Sequence, residues 1–150
     1  MLRSLPERVE TAVPDDDAGS AVLEFTFLGL LLLVPVVYLV LTIGAIQGAS
    51  FAVVGAADQA AKVFVDSETP EEAHVRAQQA VDLAISDFGL PADDAGVTIT
   101  CGGRCLEPGS SVTVDVDLRV PLPLVPTMPG LNTSAATVDS SATQLVERFG

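Results

Sequence analysis

The 150-residue chain has few of the residues on which nucleic-acid binding depends. Seven lysine or arginine residues face 20 aspartate or glutamate residues, for a formal net charge of −13, and no two of the seven are adjacent. Nucleic-acid binding needs clustered cations that displace counterions from phosphates, so the sequence excludes a nucleic-acid partner. The acidity instead favours the solubility of an exposed domain.

Groups for catalysis or metal binding are equally scarce. The chain has no tryptophan, one histidine and two cysteines. The histidine, His74, falls in the first turn of a predicted helix, on its solvent side. Asp115 and Asp117 alternate along a predicted strand, on the outer face where polar residues are expected. Neither a nucleophile–base pattern nor a glycine-rich phosphate loop occurs, so we predict no enzymatic activity, no cofactor and no metal site.

One long apolar run dominates the N-terminal third. No charged residue occurs in 25–57. The densest part, 25–46, would form a helix of about 33 Å, close to the ~30 Å hydrocarbon core of a bilayer. A secretory signal has a shorter apolar stretch behind a basic region. The remaining roughly 90 residues could not cover an all-apolar helix on every face. The run predicts a single-pass transmembrane helix.

Small residues continue this helix toward Val65. They recur at three- and four-residue steps, which is a helical spacing: Ala49, Ala52, Ala56, Ala60 and Val63. We therefore expect one long helix that leaves the membrane at its C-terminal end.

A second helix of about 19 residues is expected to begin at Pro70. Thr69 suits the N-cap, proline suits the first helical position, and Glu72 completes a capping box. Gly89 and Pro91 end the pattern. Apolar residues mark the face predicted to be buried: Ala73, Ala77, Ala80, Val81, Ala84 and Phe88.

Three strands are expected after this helix. Alternating residues in 96–101 and 111–120 predict two strands joined as a hairpin, and 134–146 predicts a third. Prolines between the second and third strands predict an extended, helix-free loop. The fold class is therefore α+β: a long N-terminal transmembrane helix extending into a small domain with one further helix and a three-stranded antiparallel sheet.

The two cysteines, Cys101 and Cys105, flank the turn of the predicted hairpin. A zinc site needs more ligands than this pair and His74 can supply. A catalytic redox pair usually has C-x-x-C spacing at a helix start. A structural disulfide suits an external domain best.

Before the apolar run stands the sequence GSAVLEF, from Gly19 to Phe25. A carboxylate such as Glu24 at the edge of a membrane helix costs free energy unless it has a partner. It could also lie in the headgroup region, where the positive N-terminus of a helix favours it. The glycine, the glutamate–phenylalanine pair and the apolar helix together resemble the cleavage site of type IV prepilins.

Residues 15–65 resemble the TadE-like group most, the minor pseudopilins of tight-adherence (Flp-type) pilus systems. The matching segments are GSAVLEF, LLLLVP and QGASFAVVGAADQAAK. One departure is the leader, which holds Asp15, Asp16 and Asp17 where many prepilin leaders are basic.

The resemblance implies cleavage by a prepilin peptidase between Gly19 and Ser20, and a role for Glu24 and Phe25 in subunit assembly. It implies a cytoplasmic N-terminus, an extracytoplasmic C-terminal domain, and pilin-like subunits and pilus assembly machinery as partners. The expected divisions are a leader (1–19), a transmembrane helix with its Ala-rich extension (20–66) and an extracytoplasmic α+β domain (67–150). The alternative is an uncleaved single-pass anchor that carries an extracytoplasmic binding module.

Overall fold

The computed structural model describes residues 17–126, 130 and 134–147, with side chains from Ser20 onward. Helix α1 spans Asp17–Val65 and helix α2 spans Pro70–Asp87. A 3-10 turn at Ala92–Asp94 leads into strand β1, Ala95–Cys101. Strands β2, Ser111–Pro121, and β3, Ser134–Leu145, complete an antiparallel sheet in the order β1-β2-β3. The predicted α+β fold class is confirmed.

The chain divides into two compact units, Met1–Val37 and Tyr38–Gly150. In the described part of the first unit, α1 exposes its large apolar side chains on every side, from Val22 to Val37. Among the described residues, one helix is long and apolar enough to cross a membrane, Ser20–Val65. A candidate membrane span therefore lies near the N-terminus, as predicted.

In the second unit, the alanine-rich part of α1 forms part of the hydrophobic core. Its buried residues other than Ala52 pack in one cluster with the inner faces of α2 and the sheet. They occupy three- and four-residue steps along the helix: Ala49, Ala52, Val53, Ala56, Ala57, Ala60, Ala61 and Phe64. Small side chains let the neighbouring elements approach closely. Val63, which the sequence placed on this stripe, is only partly buried, and Phe64 is buried instead.

Helix α2 begins as predicted. The hydroxyl of Thr69 accepts a hydrogen bond from the backbone N–H of Glu72 at 3.2 Å, which satisfies one donor of the helix N-terminus. The carboxylate of Glu72 lies 3.7 Å from the guanidinium of Arg76. Gly89 follows the helix with a left-handed backbone, φ 69°, and its N–H donates to the carbonyl of Ser86 at 2.8 Å.

The buried face of α2 differs in part from the predicted one. Ala73, Ala77, Val81 and Ile85 are fully buried at strict four-residue steps. The prediction was wrong for Phe88, which is exposed, and it omitted Ile85. The helix ends at Asp87, so Phe88 lies in the cap and no longer follows the helical spacing.

The predicted hairpin is confirmed, and the predicted third strand joins the antiparallel sheet beside β2. Strand β1 pairs antiparallel with β2, with Ala95 opposite Leu118 and Cys101 opposite Val112. Strand β2 pairs with β3, with Ser111 opposite Leu145. The inward side chains of β2 are fully buried, and β3 turns a half-buried row inward: Ala136, Val138, Ser140 and Ala142. Of the predicted proline-rich loop, 127–129 and 131–133 lie outside the described residues.

Candidate processing and assembly site

The sequence GSAVLEF lies in α1, which the structure describes from Asp17 onward. The Gly19–Ser20 peptide bond therefore belongs to a helical segment. Ser20 is exposed.

Glu24 lies four residues beyond Ser20, on the same face of the helix. Side chains four apart have Cβ atoms about 5–6 Å from each other, and helical side chains lean toward the N-terminus. The Glu24 carboxylate therefore leans toward the backbone nitrogen of Ser20. It is exposed, and none of the described residues gives it a hydrogen bond or an ion pair. Its neighbours Leu23 and Phe25 are exposed apolar side chains.

The positive N-terminus of a helix stabilises the Glu24 carboxylate only if the helix begins close to Glu24. The stabilisation of a carboxylate by the helix dipole falls off within about one turn. In the uncleaved chain more than one helical turn precedes Glu24, since the residues from Asp17 onward are helical. In a chain that begins at Ser20, Glu24 would be the fifth residue and would face both the dipole and a free amine. Cleavage would therefore give the carboxylate its favourable partners.

The second sequence-predicted site is the cysteine pair, which lies in the turn between β1 and β2. Cys101 and Cys105 are joined by a disulfide with a Cα–Cα distance of 5.4 Å, in agreement with the prediction. The turn is held further by hydrogen bonds from Gly102 N–H to the Ser111 carbonyl at 2.8 Å and from Gly109 N–H to the Val146 carbonyl at 2.9 Å. A Cβ atom at Gly102 would meet the Ser111 hydroxyl, which would have to rotate away.

The outer face of the sheet carries exposed carboxylates. Asp117 lies directly opposite Asp139, and its carboxylate occupies the space above Gly96 on the other neighbouring strand. Among the described residues, no three histidine, cysteine or acidic side chains are grouped so that they could hold a metal ion. His74 is exposed and contacts the ring of Phe64.

Of the two predicted sites, Glu24 belongs to the first unit and the cysteines belong to the second. Sequence reasoning missed the apolar side chains that the second unit exposes, such as Phe51, because their exposure depends on the packing of α1. No family model, no curated protein and no solved structure matches this chain.

Proposed function

We propose that this protein is a pilin-like subunit of the TadE-like kind, a structural or assembly component of a tight-adherence type IV pilus system. One observation carries the proposal: Glu24 is an exposed carboxylate without a partner among the described residues, one turn beyond Ser20 on an apolar helix. A carboxylate placed there has a cost in lipid that pairing with a cation relieves.

Cleavage after Gly19 would create that cation. The new α-amine at Ser20 is positively charged at neutral pH, since the usual pKa of an α-amine is about 8. In the low dielectric of a membrane, an amine and a carboxylate attract strongly, whether they belong to one chain or to neighbouring subunits. Phe25 and the residues after it offer the apolar surface along which such helices pack. A prepilin peptidase and other pilin-like subunits are the partners that this mechanism needs.

The same mechanism fixes the orientation. The Gly19–Ser20 bond must lie on the cytoplasmic side for such a peptidase, so the candidate span would cross the cell membrane once and leave the second unit outside the cytoplasm. An oxidising exterior would also preserve the disulfide between Cys101 and Cys105.

The decisive experiment is N-terminal sequencing of the membrane-extracted protein from cells with an active prepilin peptidase. We expect a start at Ser20, and we expect Gly19→Ala to retain the leader. Ala18→Ser is the matched control, since it alters the neighbouring residue and leaves the glycine in place. A wild-type chain that keeps Met1 would overturn the proposal and support an uncleaved membrane anchor with an external binding module.

A further inference from the structure

We infer that the second unit rests on the membrane surface through a membrane-facing patch formed by Phe51, Phe88 and Leu124. This goes beyond anchoring by a helix, because two of the three residues lie far from the span in sequence. The inference rests on the candidate span and not on the cleavage at Gly19. Its ligand is the interfacial layer of a lipid bilayer.

The first step is the position of Phe51. If α1 lies in the hydrocarbon core up to Ile46, then Phe51, five residues further along in the same unit, lies roughly 7 Å beyond that depth. This position falls within the headgroup layer that lies on either side of the ~30 Å core. The side chain is 70% exposed, on the side of α1 that faces away from the core. Phenylalanine and leucine side chains are among those with which peripheral segments enter the interface.

The second step places Phe88 at the same level. The ring of Phe64, at the end of α1, contacts the ring of His74, at the start of α2. Both helices bury their inner faces in one cluster, so α2 runs back along the part of α1 that belongs to the same unit, toward Ile46. Phe88 lies 14 residues after His74, and Ser50, the neighbour of Phe51, lies 14 residues before Phe64. At a helical rise of ~1.5 Å per residue, Phe88 and Ser50 are each roughly 21 Å from the ring contact. Phe88 is 52% exposed there.

The third step brings Leu124 to the same end. A short connection leads from α2 to Ala95, the first residue of β1, and Ala95 lies opposite Leu118 of β2. The chain therefore leaves β2 at the end of the sheet where α2 ends. Leu124 follows in a turn with a left-handed backbone, φ 64°, and is 85% exposed. A non-glycine residue adopts that backbone only at a cost, and here it presents a leucine to the outside.

The charges around the patch decide which lipid surface it fits. Asp87 and Asp93 are exposed beside Phe88, and Asp94 is partly exposed. An anionic lipid surface would repel these carboxylates. The patch therefore suits an interface entered by apolar side chains, such as that of a zwitterionic bilayer.

The chain has no tryptophan, so a single introduced tryptophan reports one position without background. The full-length protein would be placed, one chain to a disc, in nanodiscs of phosphatidylcholine brominated along the acyl chains. We expect bromine to quench the tryptophan fluorescence of Phe51→Trp, Phe88→Trp and Leu124→Trp. The ratio of fluorescence in brominated lipid to that in unbrominated lipid should lie between the ratios of two reference variants. Val40→Trp, in the span, is the quenched reference. Leu145→Trp is the unquenched one, since Leu145 is 66% exposed at the opposite end of the sheet.

Each other result contradicts the inference. Quenching of Phe51→Trp alone would mean that the helix reaches the interface while the second unit stands clear of it. Blue-shifted emission of Phe88→Trp without bromine quenching would mean that protein covers the patch. Loss of quenching at Val40→Trp as well would remove the span on which the inference rests. Replacing part of the lipid with phosphatidylglycerol brominated in the same way should weaken the quenching of Phe88→Trp relative to that of Val40→Trp, and an increase would contradict the carboxylate argument.

Discussion

Phe64 and His74 meet edge to face where α1 turns back into α2, with ring centroids 5.2 Å apart and ring planes at 90°. Phe64 is fully buried, whereas His74 is exposed. The connection between the helices is tied down beside them: the Ser67 hydroxyl donates to the Val63 carbonyl at 2.7 Å, and Thr69 caps α2. The contact marks the place where the start of α2 lies against the end of α1, and the shared core holds the two helices together beyond it.

Truncating the buried ring should cost far more than truncating the exposed one. We expect Phe64→Ala to lower the free energy of unfolding by about 3–5 kcal/mol, because it leaves a cavity in the core. His74→Ala loses only the aromatic contact, about 0.5–1.5 kcal/mol. Urea unfolding of the detergent-solubilised chain, followed by circular dichroism, measures both. Equal losses would mean that the core does not depend on Phe64.

The strands were predictable because their pattern is local. Each inward residue of β2, from Val112 to Val120, alternates with a polar or exposed one. A burial pattern that repeats every two residues is that of a β-strand. The start of α2 was predictable for the same reason, since Thr69 and Pro70 act within one turn. The fold class followed from these elements and from the length of the apolar run.

The role of the alanine-rich segment was not predictable from its sequence. Alanine suits a helix in water, in lipid or in a protein core, so Ala52 or Ala60 does not distinguish these surroundings. The structure places them in the core. The prediction that Phe88 is buried was wrong for a related reason. The sequence does not show that α2 ends at Asp87, one residue before Phe88. The exposure of Phe51 depends on tertiary packing, which a periodic pattern does not contain.

The pair Asp117 and Asp139 should limit the stability of the sheet. Like charges directly opposite on neighbouring strands repel, and opposite charges attract. We expect Asp139→Lys to raise the free energy of unfolding by about 0.2–1 kcal/mol at low salt. The gain should shrink at high salt because both side chains are exposed. Thr137→Lys is the control, since it faces Arg119 and should bring no gain. A gain of the same size from both would contradict the pairing.

The disulfide should stabilise the hairpin modestly. A loop as short as that between Cys101 and Cys105 constrains the unfolded chain by about 2 kcal/mol in the chain-entropy model. Replacing both cysteines with serine should lower the free energy of unfolding by about this amount and leave the sheet intact, since Gly102 and Gly109 keep their backbone hydrogen bonds. Alkylation before and after reduction, read by mass, tests the bond itself. Two thiols that react without a reductant would show that the bond is absent.

Glu24 should matter for assembly and not for insertion. The helix holds enough apolar residues to enter a membrane with any residue at this position, so Glu24→Ala should extract with the membrane fraction like wild type. Assembly, measured as chemical cross-linking between subunits or as recovered pili, should be impaired because the α-amine of Ser20 loses its carboxylate. Glu24→Asp should retain part of the assembly, whereas Glu24→Gln should resemble Glu24→Ala, since the pairing needs the charge. Normal assembly by Glu24→Gln would place the carboxylate among the lipid headgroups, where an uncharged side chain serves equally well.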